Sequence, residues 1–327
     1  MTTGFIDKLI GRAGLLFASG LLAFGMSLPL QARFGDEAVD WLNQMATAMK
    51  TVSYKGTFVY IHDDQAETMQ VFHRVDDGQI RERLVSLNGS AREVIRDADS
   101  VRCYLPDDKT VFVEKRHEGS VLARGVPLNA AEVGDYYDFE LHGSSRIAGR
   151  MARLIAIVPK DGLRYGYKIW LDKETALPLR SELLGDSDQL IEKMMFTEIE
   201  IGVSIPDDRL EATVDAAGFT WLSRGNQEDV AVQSPLSFSE LPAGFEVTQE
   251  EARGDAGKAY HVVISDGLAS VSVFAEPYTE GTPALDGLSR LGAVSAYGAR
   301  LGDHQVTVVG EVPEAAVTAI GKAARIR

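Results

Sequence analysis

The stretch that decides the fold class is YGYKIWLDKETALPLRSE, from Tyr165 to Glu182. Apolar and polar residues alternate in both halves, and the turn formers Asp172 to Thr175 separate them, which predicts a β-hairpin. Proline cannot donate to a β-ladder, so Pro178 predicts an edge or rim position for the returning strand. One face of the first strand carries Tyr165, Tyr167, Ile169 and Leu171, and the other carries Gly166, Lys168 and Trp170.

The same alternation extends on both sides of this hairpin, from Tyr54 to Gly202, with turn residues such as Asn88-Gly89 at intervals. About ten antiparallel strands in succession are enough to curl toward a barrel. A helix over residues 36–50 precedes them, with Asp36 as its candidate N-cap. Its apolar face consists of Ala38, Trp41, Leu42, Met45 and Met49. We therefore expect a mainly β domain, an unclosed antiparallel barrel with this helix against its open face.

A second, smaller unit follows a stretch without periodicity, and we place the domains at 33–215 and 235–327 with a linker at 216–234. Asp266-Gly267 predicts a two-residue type I′ turn between two strands of this unit, and a second pair of strands surrounds Gly302-Asp303. A helix with Pro313 at its first position and an apolar stripe through Val317 and Ile320 closes the chain. A small antiparallel sheet with one helix is an α+β domain.

The first 32 residues have the pattern of a secretory signal peptide. Lys8 and Arg12 precede an apolar run of roughly 15 residues that ends near the small residue Ala32. The alternative is an uncleaved N-terminal membrane anchor. With a cleaved signal, we expect an exported, soluble mature protein. Cys103 is the chain's one cysteine, so no cysteine follows the cleavage region to take a lipid, and we expect a buried, inert thiol.

Composition and motifs point away from several functions. The formal net charge of −15 disfavours binding to nucleic acid. The six histidines stand singly, and the acidic pairs lie in turns, so we expect no metal, no cofactor and no catalytic residues. An exported hydrolase of unknown type remains a rival interpretation.

With these elements in place, the chain resembles the RseB/MucB family along essentially the whole of its mature length. The resemblance rests on WLNQMATAMKTVSYKGTFVYI and WLDKETALPLRSELL in the first domain, and on FSELPAGFEVT, SDGLASVSVF, GAVSAYGARL and HQVTVVGEVP in the second. The first-domain strings are similar in style to the lipoprotein carriers LolA and LolB, whose fold is an unclosed β-barrel over an apolar cavity. A soluble carrier of that kind is the alternative function.

The family resemblance implies a periplasmic negative regulator of the envelope-stress sigma factor sigma-E, called AlgU in the alginate-producing pseudomonads. Such a protein binds the periplasmic segment of an anti-sigma factor, RseA or MucA, and shields it from the site-1 protease. A lipid-bearing stress signal, a mislocalised lipoprotein or a lipopolysaccharide fragment, enters the first domain and releases the anti-sigma factor. Whether the protein forms a homo-oligomer stays open.

Two sets of candidate residues follow from the expected architecture. For the lipid, the candidate inner wall consists of Trp41, Met45, Met49, Phe58, Tyr60, Phe72, Tyr165, Tyr167 and Ile169; ordinary core packing is the alternative for each. For the partner, we expect an edge strand of the second domain to accept an added strand. Its candidate residues are Ser270, Val271, Ser272, Val273, Tyr297 and Arg300, and an ordinary edge hairpin is the alternative. Trp170, beside Lys168 and Arg180, is either a partner-facing patch or a surface tryptophan under basic side chains.

Overall fold

The structure, a computed structural model, describes residues 30–115, 133–223, 234–253, 259–281 and 285–326. The helices are α1 (Leu30–Thr51) and α2 (Glu314–Ala323). The strands of the first domain are β1 (Tyr54–His62), β2 (Gln65–Asp76), β3 (Gln79–Ser86), β4 (Glu93–Arg96), β5 (Ser100–Leu105), β6 (Thr110–Lys115), β7 (Tyr137–Ile147), β8 (Arg150–Pro159), β9 (Gly166–Asp172), β10 (Pro178–Leu184), β11 (Leu190–Ile201) and β12 (Thr220–Ser223). Those of the second are β13 (Leu236–Phe238), β14 (Glu246–Arg253), β15 (Ala259–Ser265), β16 (Ser270–Pro277), β17 (Gly287–Leu291), β18 (Val294–Leu301), β19 (His304–Gly310) and β20 (Ala324–Ile326).

The first domain is built on one twelve-stranded sheet in the order β12-β6-β5-β4-β3-β2-β1-β11-β10-β9-β8-β7. Neighbouring strands are antiparallel except β12, which runs parallel to β6. The two end strands, β12 and β7, do not pair with each other, so the sheet is unclosed, as predicted. In the described ranges, no helix combines the length and the hydropathy that a membrane span requires.

Helix α1 packs against one face of this sheet, which we call the inner face. One core cluster joins the apolar side of α1 to strands from both halves of the sheet, so the sheet curls around the helix. Helix α1 spans Leu30–Thr51, and Leu, Gln, Ala and Arg in its first turn are good helix formers. Asp36 accordingly lies inside the helix and is not its N-cap, a correction to the expectation above. Residues 1–29 of the predicted signal sequence lie outside the described ranges.

The opposite, outer face of β2–β6 is covered by residues 203–219. Ile205 and Leu210 pack on Phe72, and Phe219 is among the residues that pack around Tyr104. Asp207 pairs with arginines on β2 and β3, which fastens this covering segment to the sheet. Because β12 follows and pairs with β6, the first sheet extends to residue 223, beyond the predicted boundary at 215.

The hairpin that opened the sequence analysis forms as predicted, with β9 and β10 paired in antiparallel register. Ile169 and Leu171 lie in the inner-face core, and Trp170 lies in a separate outer cluster. Arg180 stacks over the Trp170 ring with its Cζ 4.0 Å from the ring centroid, so this tryptophan is covered by a basic side chain. Of the two positions predicted for Pro178, an edge or a rim, the edge is wrong, since β10 lies between β9 and β11. The proline is the first residue of its strand, beside a β-bulge, where it is tolerated.

The second domain has a six-stranded antiparallel sheet in the order β14-β15-β16-β19-β18-β17, with α2 packed on it. Val317 and Ile320 are buried in its core, as the apolar stripe predicts. Two details differ from expectation. Pro313 is the N-cap of α2 and not its first residue. The β15–β16 connection is the four-residue loop 266–269, in which Gly267 has a positive φ and Asp266 does not, so the predicted type I′ turn is wrong.

One glycine in the middle of the first sheet is expected to be irreplaceable. Gly56 on β1 faces β11, and a Cβ there would lie 2.5 Å from the backbone oxygen of Glu198. Gly56→Ala should therefore lower the free energy of unfolding by about 1–3 kcal/mol, which urea denaturation measures. Gly143→Ala is the matched control: Gly143 has nothing within 4 Å of its added Cβ, and we expect a change of about 0.5 kcal/mol or less. Equal effects at both positions would contradict the steric argument.

Candidate functional site

Most of the residues predicted to line a lipid site do lie together on the inner face. Met45, Met49, Phe58 and Ile169 are buried in the core that joins α1 to the sheet. Trp41, Tyr60 and Tyr167 are half-buried and pack against the same core. Burial raises the pKa of Tyr167 well above its ordinary value, in keeping with an apolar surrounding. The prediction therefore identified one contiguous apolar surface, while its role in lipid binding stays a prediction.

Two predicted members of this set lie elsewhere. Phe72 faces outward, because its neighbours Val71 and His73 face the inner side, and its ring lies beneath Arg209, whose Cζ is 4.8 Å from the ring centroid. Tyr165 precedes β9 and packs with Leu183 and with Ala293 of the second domain. Neither contributes to the inner wall, so both assignments are corrected.

Helix α1 fills the part of the inner face that it covers. Leu42 and Met45 are each 1% exposed, which leaves their side chains in contact with the sheet and not with an open hollow. A ligand that enters here must displace α1 or use a part of the face that the helix does not reach.

Such a part exists toward the β12 end of the sheet. A row of cross-strand neighbours continues the inner face from Leu84 through Val94, Cys103 and Phe112 to Leu222. Exposure rises along it, from 5% at Leu84 to 42% at Phe112 and 45% at Leu222. Cys103 is half-buried and not fully buried as expected, while burial still raises the pKa of its thiol, which disfavours the reactive thiolate. We call this row the open row; it is the exposed apolar continuation of the buried core.

A buried polar row also crosses the inner face, and the sequence analysis missed it. Its members are Tyr54 on β1, His73 on β2, Glu82 on β3 and Arg96 on β4. His73 Nδ1 lies 2.7 Å from Glu82 Oε1, and Arg96 donates to Glu82 Oε2 at 3.2 Å. Tyr54 stacks on the His73 ring, and burial raises its pKa well above the ordinary value. The His73–Glu82 and Arg96–Glu82 contacts link β2, β3 and β4, and they help to hold these strands in register beneath the core. The sequence signal for this row is the β2–β3 turn at residues 76–79, because that turn sets the register that places His73 opposite Glu82.

The strand-addition site predicted in the second domain is not at an edge. Strand β16, which carries Ser270 to Val273, pairs with β15 on one side and β19 on the other, so its backbone groups are already used. Val271 and Val273 are fully buried, and Ser272 contacts the His261 ring nitrogen at 3.0 Å. Ser270 remains exposed.

The two other predicted partner residues lie on β18, which is also internal. Tyr297 packs against α2, where a Cβ added at Gly321 would overlap its ring. Arg300 stacks over Tyr278 with its Cζ 4.2 Å from the ring centroid. The edges of this sheet are β14 and β17, and β17 exposes Leu288 and Leu291. Strand addition at the predicted residues is therefore corrected, and their contact with a partner by other means stays a prediction.

The two domains meet at a buried arginine. Arg164, in the β8–β9 loop, is fully buried, and its Nε donates to Asp266 Oδ2 of the second domain at 2.6 Å. Its Nη2 donates to the backbone oxygen of Ala243 at 2.6 Å, and its Nη1 to Asp161. The guanidinium lies between the rings of Tyr136 and Phe245, 4.7 and 4.6 Å from their centroids. Each of the three guanidinium nitrogens donates a hydrogen bond, and two aromatic rings lie within cation–π distance of the cation.

Apolar residues reinforce the same junction in both directions. Leu268 of the second domain packs against the inner-face core, and Leu163 of the first packs against the core of the second. A separate contact lies at the β17–β18 turn, where Ala293 packs with Tyr165. The domains are therefore joined by packed side chains and a buried ion pair, beyond the chain connection itself. Within the described ranges, no group of three or more His, Cys, Asp or Glu is placed to hold a metal ion.

Comparison with known proteins gives a consistent result for both domains. The family model for the MucB/RseB N-terminal domain matches residues 37–214, and that for the MucB/RseB C-terminal domain matches residues 230–325. The sigma factor AlgU regulatory protein MucB of Pseudomonas aeruginosa is 35% identical over 307 residues, which cover 90% of this chain and 92% of that protein. The sigma-E factor regulatory protein RseB of Salmonella typhimurium is 26% identical over 318 residues, covering 96% and 98%.

Solved structures agree with this assignment. The complex of MucA and MucB from Pseudomonas aeruginosa has a TM-score of 0.70 at 32% identity and covers 89% of this chain and 99% of the matched chain. A crystal structure of MucB with the periplasmic part of MucA has a TM-score of 0.69 at 33% identity, with the same coverage.

Proposed function

The chain belongs to the MucB/RseB family, and on that premise we propose that it is a periplasmic regulatory binding protein for an anti-sigma factor. It binds the periplasmic segment of a MucA-like or RseA-like protein, shields that segment from site-1 proteolysis, and releases it when a lipid-bearing stress signal binds the first domain. The observation that carries the proposal is the match of both domains, together, to MucB structures that contain MucA. The named relatives are regulatory proteins, which supports a function without catalysis.

Release requires that the signal bind the partner-free protein more tightly than the complex. A coupling free energy of about 1–3 kcal/mol weakens partner binding by roughly 5–150-fold. The inner face supports a lipid as the signal, because an apolar acyl chain gains by leaving water for an apolar surface. The open row is where such a chain first meets this surface, since α1 fills the remainder.

A protease-protection assay tests both parts of the proposal. The full mature chain is mixed with the periplasmic segment of its anti-sigma factor and the site-1 protease, and a diacylated lipopeptide is then added. We expect slow cleavage without lipopeptide and restored cleavage with it. Phe112→Glu places a charge on the open row, so it should keep protection but abolish the response to lipopeptide.

Met151→Glu is the matched control, because Met151 is also an exposed apolar strand residue, on β8 and away from the open row. It should leave protection and response unchanged. Absence of protection by the unaltered chain would end the regulatory proposal, and protection indifferent to lipopeptide would end its sensing part. Transfer of lipopeptide to an acceptor without protection would favour a LolA-like carrier. Point variants are preferable to deleting residues 235–327, because the deletion would expose Arg164 and Leu163.

A further inference from the structure

The tip of the β15–β16 hairpin inserts into the first domain. We call residues Asp266–Ala269 the docking loop. Asp266 receives hydrogen bonds from Arg164 and from the Tyr137 hydroxyl, the latter at 3.0 Å. A Cβ added to Gly267 would lie 2.9 Å from Val133, so glycine permits the close approach, and its positive φ of 94° suits the turn. Leu268 packs against the inner-face core. The loop thus touches the first domain through three consecutive residues.

The first-domain side of this contact is part of the surface that α1 covers. Tyr137 is 1% exposed and belongs to the same core cluster as Met45 and Met49 of α1. Burial raises its pKa well above the ordinary value, as does the neighbouring Asp266 carboxylate, so the hydroxyl stays a proton donor. A shift in how α1 packs therefore moves one of the two side-chain donors that hold Asp266 of the docking loop.

On the second-domain side, the docking loop connects two internal strands of the sheet. Asp266 Oδ1 accepts from the backbone N–H groups of Leu268 and Ala269, at 2.9 and 2.7 Å, which fixes the loop's shape around the carboxylate. Strands β15 and β16 continue from the loop as internal strands, with Val271 and Val273 fully buried. Packed cores shift between discrete arrangements and do not deform continuously, so a displaced loop carries its strands with it.

We propose that the docking loop couples the packing of the inner face to the second domain, with Tyr137 as the positioning residue that transmits the change. This inference names the route of regulation within the proposed function and rests on it for its biological purpose. The coupling itself is a property of the chain alone. It is therefore measured without partner or ligand.

Amide hydrogen exchange on the full chain provides the test, read at the N–H groups of Leu268 and Ala269. Met49→Ala loosens α1 over the inner face and should accelerate exchange at both amides by about tenfold. Tyr137→Phe keeps the ring but removes the hydroxyl, and in that background the additional acceleration by Met49→Ala should fall below about threefold. Gln44→Ala, on the exposed side of α1, is the control and should change neither amide.

Two outcomes overturn the coupling. Faster exchange within α1 with no change at Leu268 and Ala269 shows that the loop does not respond to the helix. An unchanged effect of Met49→Ala in the Tyr137→Phe background shows that the hydroxyl does not transmit it. If Met49→Ala fails to fold, Ala48→Gly weakens α1 through its backbone without removing a large side chain and gives the same readout. A chain that passes this test but fails protease protection refutes the proposed function alone.

Discussion

Arg164→Ala is expected to lower the free energy of unfolding by about 3–5 kcal/mol, because it leaves the buried carboxylate of Asp266 without its cation. Both side chains are fully buried, and the arginine also holds the backbone of Ala243 and fills the space between two aromatic rings. Urea denaturation followed by circular dichroism measures the loss. We also expect the single unfolding transition to separate into two, one for each domain, because the substitution removes the contact that joins the domains.

Two control variants show whether the loss of stability comes from the unpaired buried charge or from removing any arginine or lysine side chain in this region. Lys160→Ala removes a neighbouring but exposed ion pair with Asp138 and should cost about 1 kcal/mol or less. Arg164→Met combined with Asp266→Asn removes both charges while keeping much of the volume, and should be less destabilised than Arg164→Ala. A loss below about 1 kcal/mol for Arg164→Ala would mean that water replaces the guanidinium and that the domains part readily.

The features predicted correctly from the sequence are those that local patterns determine. Alternation along Tyr165–Leu171 placed Ile169 and Leu171 on the core side of β9, because side chains in a strand project to opposite faces at period two. The stripe through Val317 and Ile320 likewise marked the buried side of α2. In both cases the residues that decide the structure lie within a few positions of one another.

The sequence-based predictions fail where contacts between distant segments determine the structure. Asp266-Gly267 has the composition of a two-residue turn, but the carboxylate of Asp266 binds an arginine 102 positions away, and the loop takes the shape that this contact requires. Phe72 was assigned inward because an apolar side chain on a strand does not reveal which face is the core when both faces are covered, here by α1 and by residues 203–219. Strand β16 looked like an edge because the order of strands in a sheet depends on pairings that local alternation does not encode.

These corrections bear on the lipid sensing that we propose. An open apolar cavity would admit a lipid without rearrangement. Here α1 covers the centre of the inner face, and the two domains are joined through Arg164 and Leu268. A ligand that extends from the open row beneath the helix must shift α1, and its binding free energy is reduced by the work of doing so. The affinity of the chain for such a ligand thus depends on how firmly α1 is held.

Met45→Ala is expected to have two opposite effects, and their combination tests this dependence. Met45 is 1% exposed at the centre of the α1 contact, so truncation leaves a cavity and should lower the free energy of unfolding by about 2–5 kcal/mol. The same cavity lies where an acyl chain would pack, and the helix is then easier to displace. Lipopeptide should therefore bind roughly tenfold more tightly to the variant, as measured by fluorescence titration at a temperature where it remains folded.

Gln44→Ala, one position earlier on the exposed side of α1, should alter neither stability nor affinity by a comparable amount. A loss of stability with unchanged lipopeptide affinity would place the ligand away from α1, on the open row alone or outside the inner face. If the variant loses both stability and lipopeptide affinity, Met45 contacts the ligand directly in a site that is already formed. Only weaker folding together with tighter binding shows that α1 and the acyl chain compete for the same surface, which is the physical condition for release by a lipid signal.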